Sequence, residues 1–447
     1  MSALEELAAG LAAQARSGEQ IEAYVARGQD TEVVVFDGDV ESLSAATSEG
    51  VGIRVIVDHR QGFAYAGSLD PEIVTETLQE ARDNAGFATP DEYLGLAEPD
   101  GVEAAALNLW RDSLESFPTA DKVELAMELE RKVRAGDPRI RSLRASSYGD
   151  SAVEAAVATS TGIRSRVRRT GCYLSAEAIA GDADDTQTGY GFSVGRAPEE
   201  LDLGRAATDA VERATRLLGA RKPKSARITV VFEPEIASTL LSILAGTLSG
   251  EAVLKGRSLF ADRVGETVSA PAVTLVEDAT DERAYAASAY DAEGLACRRV
   301  PLIDGGTLQG YLYNTYAGRR AAVPSTASAV RAGFKGAPGV GARALSLVPG
   351  TKSQAEILAA VGTGLLVQSV SGIHSGVNPV SGDFSVGAEG LLISDGTLGQ
   401  PVREITIAST LQRMLLAVEH VGSDIEWLPG NAAGMTIAIA DLTMSGS

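Results

Sequence analysis

The sequence predicts an α+β protein in which a duplicated helix and antiparallel-sheet domain, residues 1–225, precedes a β-rich domain, residues 226–447. Three observations carry this expectation. Strand pairs with Asp-Gly turn chemistry are bracketed by amphipathic helices. The same order of elements returns once, at an offset of 129 residues, with weak identity. A charged, proline-containing stretch, Arg221-Lys-Pro-Lys-Ser-Ala, then separates a helix from the strand Ile228–Phe232. At ~150 residues per domain, 447 residues also exceed what one core holds.

The elements follow in order. Leu4, Leu7 and Leu11 form one stripe of an N-terminal helix. Strands are expected at 22–27 and 31–36, then a turn at Asp37-Gly38-Asp39 and a strand from Val40. A further pair, from Gly52 and Gly62, is joined through Asp58-His-Arg. Asp70 as N-cap and Pro71 at the first helical position open a helix whose buried stripe is Ile73, Val74, Thr77, Leu78 and Ala81. The second half repeats this with a helix over 119–134, strands over 140–145 and 153–159, and a strand after Gly162. Gly191-Phe-Ser-Val-Gly then echoes Gly62-Phe-Ala-Tyr-Ala, and Pro198 is expected to start a helix as Pro71 does. Beyond 226 come a helix over 234–250, a loop-rich stretch over 318–349, and short strands over 372–441 with a helix near 410–419 bearing Leu411, Leu415 and Val418. The end, Met444-Ser-Gly-Ser, is expected to fray.

Composition narrows the function. Apolar residues at 45% and charged residues at 22% are ordinary globular usage and exclude wholesale disorder. With 48 glycines and only 5% aromatics, glycine-rich loops are favoured over aromatic platforms. A net charge of -21 repels a phosphate backbone, so direct nucleic-acid binding is not expected. Cys172 and Cys297 stand 125 residues apart without a CxxC pair, which suggests neither a disulfide framework nor a thiolate zinc site and fits a reducing cytoplasm. The N-terminus lacks a basic leader region. The uncharged run 357–382 is too polar and too interrupted to span a bilayer, and the helix-like run 236–250 is too short, so no membrane insertion is expected.

For chemistry, the three histidines, His59, His374 and His420, are nowhere spaced to face one metal ion from a helix. The clusters Asp182/Asp184/Asp185 and Asp278/Asp281/Glu282 read as solvated loop faces rather than hard-cation sites. The glycine-rich stretch 371–390 contains adjacent His374 and Ser375 but no GxSxG elbow. Its glycines allow tight turns, with Asn378 and Asp383 bonding the turn backbone. The favoured reading is a groove lined by exposed backbone and polar side chains, with Gly372, His374, Ser375, Asn378, Gly382, Asp383 and Ser385 as the peptide-binding candidates. Arg164, Arg166 and Arg168 share one strand face by period two; a carboxylate-rich partner or a peptide C-terminus could meet them, but a solvated or internally paired stripe is favoured. Cys297 has two arginines beside it that could lower its pKa, yet reads as a buried structural cysteine.

Several segments resemble the TldD/PmbA family, most closely its PmbA branch, also called TldE. These are Glu49-Gly-Val-Gly-Ile-Arg-Val-Ile-Val-Asp with Gly62-Phe-Ala-Tyr, Gly364-Leu-Leu-Val-Gln-Ser-Val-Ser-Gly, Gly376-Val-Asn-Pro-Val-Ser-Gly-Asp-Phe-Ser-Val-Gly-Ala-Glu-Gly, and Pro401-Val-Arg-Glu-Ile-Thr-Ile-Ala. The resemblance implies a two-subunit cytoplasmic zinc protease. Its TldD subunit carries HExxxH on a helix plus a later cysteine as zinc ligands, and TldE shares the fold without them. It also implies removal of leader peptides, degradation of unfolded peptides, and a link to modulation of DNA gyrase.

In this chain the corresponding helix reads from Ser238 to Gly250, with no His or Glu between Ile236 and Gly250 and no Cys after Cys297. No catalytic or metal-ligating residue transfers. The expectation is a non-catalytic TldE-like subunit, inactive alone and without a cofactor of its own. It would pair with a zinc-bearing TldD-like metallopeptidase subunit around a chamber for unfolded or leader peptides, with the 318–350 loop as a wall. Extended peptides would add as strands to an exposed sheet edge. A homodimer of the isolated chain is left open. The alternatives are a stand-alone hydrolase using Ser375, His374 or Cys297, and a regulator that binds gyrase or another protein.

Overall fold

The computed structural model describes residues 2–446 except the side chain of Asp184; that carboxylate, and Ser447 of the expected frayed tail, lie outside the described residues. Ser2 opens helix α1 (Ala3–Ala12) with a capping box: its hydroxyl accepts from the Glu5 N–H at 3.4 Å, and the Glu5 carboxylate accepts from its own N–H at 2.7 Å. Leu4 and Leu11 are buried beneath it.

Strands β1 (Glu19–Phe36) and β2 (Asp39–Val57) are each continuous where the sequence suggested two pieces. The polar stretch Gly28-Gln29-Asp30 that reads as a break is paired on both sides, to β2 and to β4 (Ile140–Thr159), so its backbone groups are satisfied in the ladder. Asp37 and Gly38 turn the hairpin with φ of 54° and 82°, and Asp58 and His59 turn the next one, into β3 (Arg60–Ala66), with 48° and 58°. Two consecutive positive φ values match the right-handed twist of the strands.

Asp70 caps helix α2 (Pro71–Phe87) by accepting from the Glu72 N–H at 3.0 Å. Val74, Thr77, Leu78 and Ala81 are buried as expected, but Ile73 is 41% exposed. At 100° per residue it stands roughly 110° from the centre of the stripe defined by Val74, Leu78, Ala81 and Ala85.

The second half supplies a short helix α3 (Asp112–Glu115), α4 (Thr119–Gly136), the long β4, β5 (Arg164–Ala180), β6 (Gln187–Gly195) and α5 (Leu203–Thr215). Here too one strand, β4, replaces two expected ones. Pro198 starts only a 3₁₀ turn, Pro198–Glu200; the helix waits for Asp202, whose carboxylate accepts from the Arg205 N–H at 2.8 Å.

The six strands form one sheet in the order β3-β2-β1-β4-β5-β6, with each half contributing a meander and β1 pairing antiparallel to β4 in the middle. Odd-numbered residues of β1 face the helices: Ile21, Ala23 and Val25 join α1 and α2 in one core, and Val33 and Val35 join α4 and α5 in another. The repeat has a packing reason. A Cβ on Gly62 would lie 1.9 Å from the Ala81 carbonyl oxygen in α2, and one on Gly191 would lie 2.0 Å from the Ala206 carbonyl oxygen in α5. Each half therefore needs a bare backbone where its helix crosses its outer strand.

Strand β7 (Ala226–Phe232) belongs to a second sheet. It runs parallel to Gly364–Ser371 and antiparallel to Ile437–Ser445; Asp383–Ser394 and Thr397–Thr410 complete the order. Thr397–Thr410 also pairs with Ile437–Ser445, so these strands close on themselves, and Val418–Val421 is appended outside. Helix α6 (Pro234–Thr247) shares the large core of this unit, with Leu240, Leu241 and Leu244 packed in the cluster that holds Phe384 and Ile407. A smaller four-stranded sheet is built from 275–277, 300–304, 307–308 and 345–347.

Three expected boundaries shift. Helix α6 stops at Thr247, and a separate turn, Gly250–Leu254, follows because the Gly250 N–H bonds the Leu312 carbonyl at 2.8 Å. The helix near 410–419 is only Leu411–Leu416, since Val418 begins a strand. Met444 does not fray: it is 2% exposed, opposite Ile407 and Ala226 in the closing strand. No helix of the described residues is long and apolar enough to cross a membrane.

Replacing Gly62 or Gly191 by alanine is expected to destabilise the protein by about 1–3 kcal/mol in urea titration, the cost of overpacking. Gly67→Ala, with open space around its added Cβ, should stay within about 0.5 kcal/mol.

Candidate functional site

Three places bear on function: the glycine-rich loop over 371–390, helix α6, and the space between the N-terminal sheet and the 285–343 segment.

In the loop, Gly372 takes a left-handed conformation (φ 75°) and caps the one-turn helix Ile373–Gly376. His374, Ser375, Asn378, Asp383 and Ser385 are exposed, and Gly382 is buried. Their polar atoms serve the turn. The Ser375 hydroxyl donates to the Gly372 carbonyl at 3.2 Å, the Asn378 side-chain oxygen accepts from the N–H groups of Val380 and Ser381, and the Ser381 hydroxyl donates to Asp383 at 2.7 Å. A Cβ on Gly376 would meet the Ser385 carbonyl oxygen at 1.9 Å. The structure thus brings these candidates together on one exposed turn, and none lines the cavities described below. Ser375 and His374 form no hydroxyl–imidazole hydrogen bond among the described residues. Cys297 is buried, and burial pushes its thiol up to about 12, so it is a neutral thiol at pH 7.

Helix α6 occupies the place where the family resemblance puts the zinc-binding helix, and its residues do not fit a zinc ion. Its one carboxylate, Glu235 in the first turn, is paired with Arg213 at 2.6 Å, and its hydroxyls are engaged: Ser238 donates to the Ala432 carbonyl at 2.9 Å, Ser242 to the Asn431 side chain at 2.9 Å, and Thr239 to the Glu235 carbonyl at 3.1 Å. Among the described residues no three His, Cys, Asp or Glu side chains converge on one point.

The third place was not legible in the sequence. Even-numbered residues of β1 face away from the helices, and Tyr24, Ala26, Gly28 and Asp30 form the floor of a cavity of about 290 Å³. Odd-numbered residues of β4 and β5 continue that floor, and Tyr290, Asp291, Arg331, Phe334 and Arg343 roof it from the C-terminal unit. Beneath it runs a buried ion network. Arg54 bonds Glu22 at 2.5 Å and reaches Glu293 at 3.5 Å, while Arg331 bonds Glu22 at 2.6 Å and stacks over the Tyr24 ring at 4.6 Å. These two cations overcome burial and hold the Glu22 carboxyl below the usual range. Glu293 also accepts from Thr315, through N–H and hydroxyl, at 2.9 and 2.7 Å.

Asp291 caps the turn beside it. Its carboxylate accepts from the N–H groups of Glu293, Leu295 and Ala329, and burial together with the Glu293 charge raises its pKa. Behind Arg343, Glu277 accepts from the Arg343 and Ala344 N–H groups, and burial pushes it up to about 7.

The arginine stripe is internally engaged. Arg166 pairs with Glu154 at 2.8 Å, Arg164 donates to two carbonyls, and Arg168 lies 4.0 Å over the Trp110 ring. Arg169, one residue on and therefore on the other face of the strand, lines the cavity without an ion pair among the described residues, and part of Arg168 lines it as well. The Arg168-Arg169 pair in the sequence was the available signal; only the fold shows that Trp110 covers Arg168 and leaves Arg169 without such a partner.

Two six-stranded sheets on one chain, the first built from two similar halves, define an α+β protein of two packed units. The chain belongs to the TldD/PmbA family. Models for the PmbA/TldA metallopeptidase match as domain 1 over residues 21–85, central domain over 112–218 and C-terminal domain over 225–446. The metalloprotease PmbA of Escherichia coli O157:H7 is 29% identical over 428 residues, covering 95% of this chain and 92% of that protein. A putative modulator of DNA gyrase from Thermotoga maritima superposes with a TM-score of 0.90 at 24% identity, over 99% of this chain and 100% of the other. TldE from Thermococcus kodakarensis does so with 0.88 at 24%, over 96% and 97%.

The raised Glu277 pKa has a pH consequence. Protonated Glu277 is favoured by the fold, so its contribution to stability is fully present below about pH 4.5 and is lost as pH rises through about 7. Unfolding measured at pH 5 and pH 8 should show a decline that Glu277→Gln reduces by about 2–4 kcal/mol.

Proposed function

We propose that this chain is the non-catalytic, TldE-like subunit of a heterodimeric peptidase whose zinc is carried by a TldD-like partner. The observation that carries the reading is the chemistry of α6, which has no imidazole, whose one carboxylate, Glu235, is paired with Arg213, and whose hydroxyls are already bonded to the backbone and to Asn431. Activation of a water molecule by a metal needs such donors plus an open coordination position. The metalloprotease name of the E. coli relative supports a place in a peptidase system.

Within such a complex this chain's role is to receive unfolded or leader peptides. The sheet offers an edge for it: β2 pairs with β3 only from Val51 onward, so Asp39–Gly50 has β1 on one side and no strand on the other among the described residues. Val40 and Leu43 are exposed along this arm. An extended peptide would add there through its main chain, which gives affinity with little sequence preference. The exposed turn with Gly372, His374, Ser375, Asn378, Gly382, Asp383 and Ser385 would face the peptide or the partner, and the 318–350 loop would form a wall. The soluble setting is the cytoplasm.

The test is reconstitution. The purified chain alone should bind no stoichiometric zinc and leave casein and leader peptides uncut, whereas mixing it with a zinc-bearing homologue should give a stable complex that cuts them. Stoichiometric zinc and full turnover from the single chain would overturn the proposal. Alanine at His374, Ser375 and Cys297 should leave the chemical step of the complex within about twofold, while a hydrolase built on any of them would lose at least 100-fold.

A further inference from the structure

We propose that the cavity between the N-terminal sheet and the 285–343 segment is a carboxylate-binding site, with Arg169, Arg343 and Arg331 as its donors. The proposal does not rest on the peptidase reading.

The charge accounting around the cavity leaves donors over. Glu22 is satisfied by Arg54 and Arg331, Glu293 by Arg54 and Thr315, and Asp291 by three backbone N–H groups. Arg27 at the mouth pairs with Glu49, and Arg168 lies on Trp110. Arg169 makes no hydrogen bond or ion pair among the described residues, although it lines the cavity. Arg343 has one long bond, Nη2 to the Ala329 carbonyl at 3.4 Å, and its buried Nε has no acceptor. Arg331 has a side chain only 2% exposed; its Nη2 is used, but Nε and Nη1 are buried without a partner.

Guanidinium groups without acceptors in a low-dielectric space are costly unless a ligand completes them. Arg169 and Arg343 line the same cavity, and burial together with the charge of Arg343 pushes the Arg169 pKa down. A planar fork of N–H donors matches a carboxylate in bidentate fashion. Floor and wall residues such as Ala155, Val157 and Leu109 are apolar, and Tyr24, Tyr290 and Phe334 add aromatic surface, so the charge is little screened. The volume is at the small end for ligand sites, which are on the order of 300–1,000 Å³. The mouth lies at Arg27, Asp30 and Ser48, all exposed.

A carboxylate suits the site better than a polyphosphate. The protein's net charge of -21 repels multiply charged anions at long range, and Asp30 and Asp291 line the same cavity. Two sources carry this group: a free small organic acid and the C-terminus of a peptide.

The experiment is thermal shift and calorimetric titration of the full chain with N-acetyl-trialanine, its C-terminal amide, sodium succinate and inorganic phosphate. Expected is a rise in Tm of several degrees with the free-carboxylate peptide, with succinate, or with both, and none with the amide. The peptide alone acting identifies a peptide C-terminus, and succinate acting identifies a small acid. Arg169→Met should weaken that binding at least tenfold while leaving the unliganded Tm equal or higher, because it removes an uncompensated cation. Arg169→Lys should keep partial binding. Four results would overturn the proposal: no probe binds, phosphate alone binds, acid and amide bind alike, or Arg169→Met lowers the unliganded Tm or fails to fold.

Discussion

Four side chains from distant parts of the chain, Glu22, Arg54, Glu293 and Arg331, meet in one buried network, and the relation between the two sheets depends on it. Glu22 and Arg54 stand on neighbouring strands of the first sheet, whereas Glu293 and Arg331 come from loops of the second unit. All have side chains no more than 5% exposed. Such a network is weak evidence for net stability, because desolvation offsets much of the Coulomb gain. Its effect is on geometry. A buried charge without its partner costs about 3–5 kcal/mol, so arrangements that separate the two units by even a few ångströms are disfavoured.

That constraint creates the cavity. The sheet's helix-free face is lined by small and polar residues, Ala26, Gly28 and Asp30 among them, which could not seal against another apolar surface. Phe334 is accommodated only because Gly50 and Gly52 are bare: Cβ atoms there would lie 2.6 Å from its ring and 2.3 Å from its carbonyl oxygen. The segment carrying Arg331 and Phe334 is therefore pinned by charge on one side and by glycine on the other. What remains between is a roofed space with arginine donors facing into it.

Much of the architecture could be read from residues alone. The caps at Asp70 and Pro71, the Asp37-Gly38 turn and the repeated Gly62 and Gly191 are local signals, and the structure contains each of them. Strand length was not legible: Gly28-Gln29-Asp30 looks like a break until both neighbouring strands pair with it. Nor was the end of the chain, where Met444 is buried by pairing with Ile407 and Ala226, both distant in sequence. At the candidate site, the 371–390 loop stood out by its glycines, yet its polar atoms are taken up by the turn they create.

The sequence by itself determined the family, the α+β composition, and the lack of imidazole and carboxylate between Ile236 and Gly250, because each of these is a matter of which residues occur at fixed short spacing. Only the tertiary structure decided that Trp110 covers Arg168 while Arg169 lines the cavity without a partner among the described residues, and that Glu22 finds both Arg54 and Arg331. Those outcomes depend on which strands lie side by side and on what packs over them. Pairing energy between residues 22 and 331 leaves no trace in local pattern, since it is realised only after some three hundred intervening residues have folded.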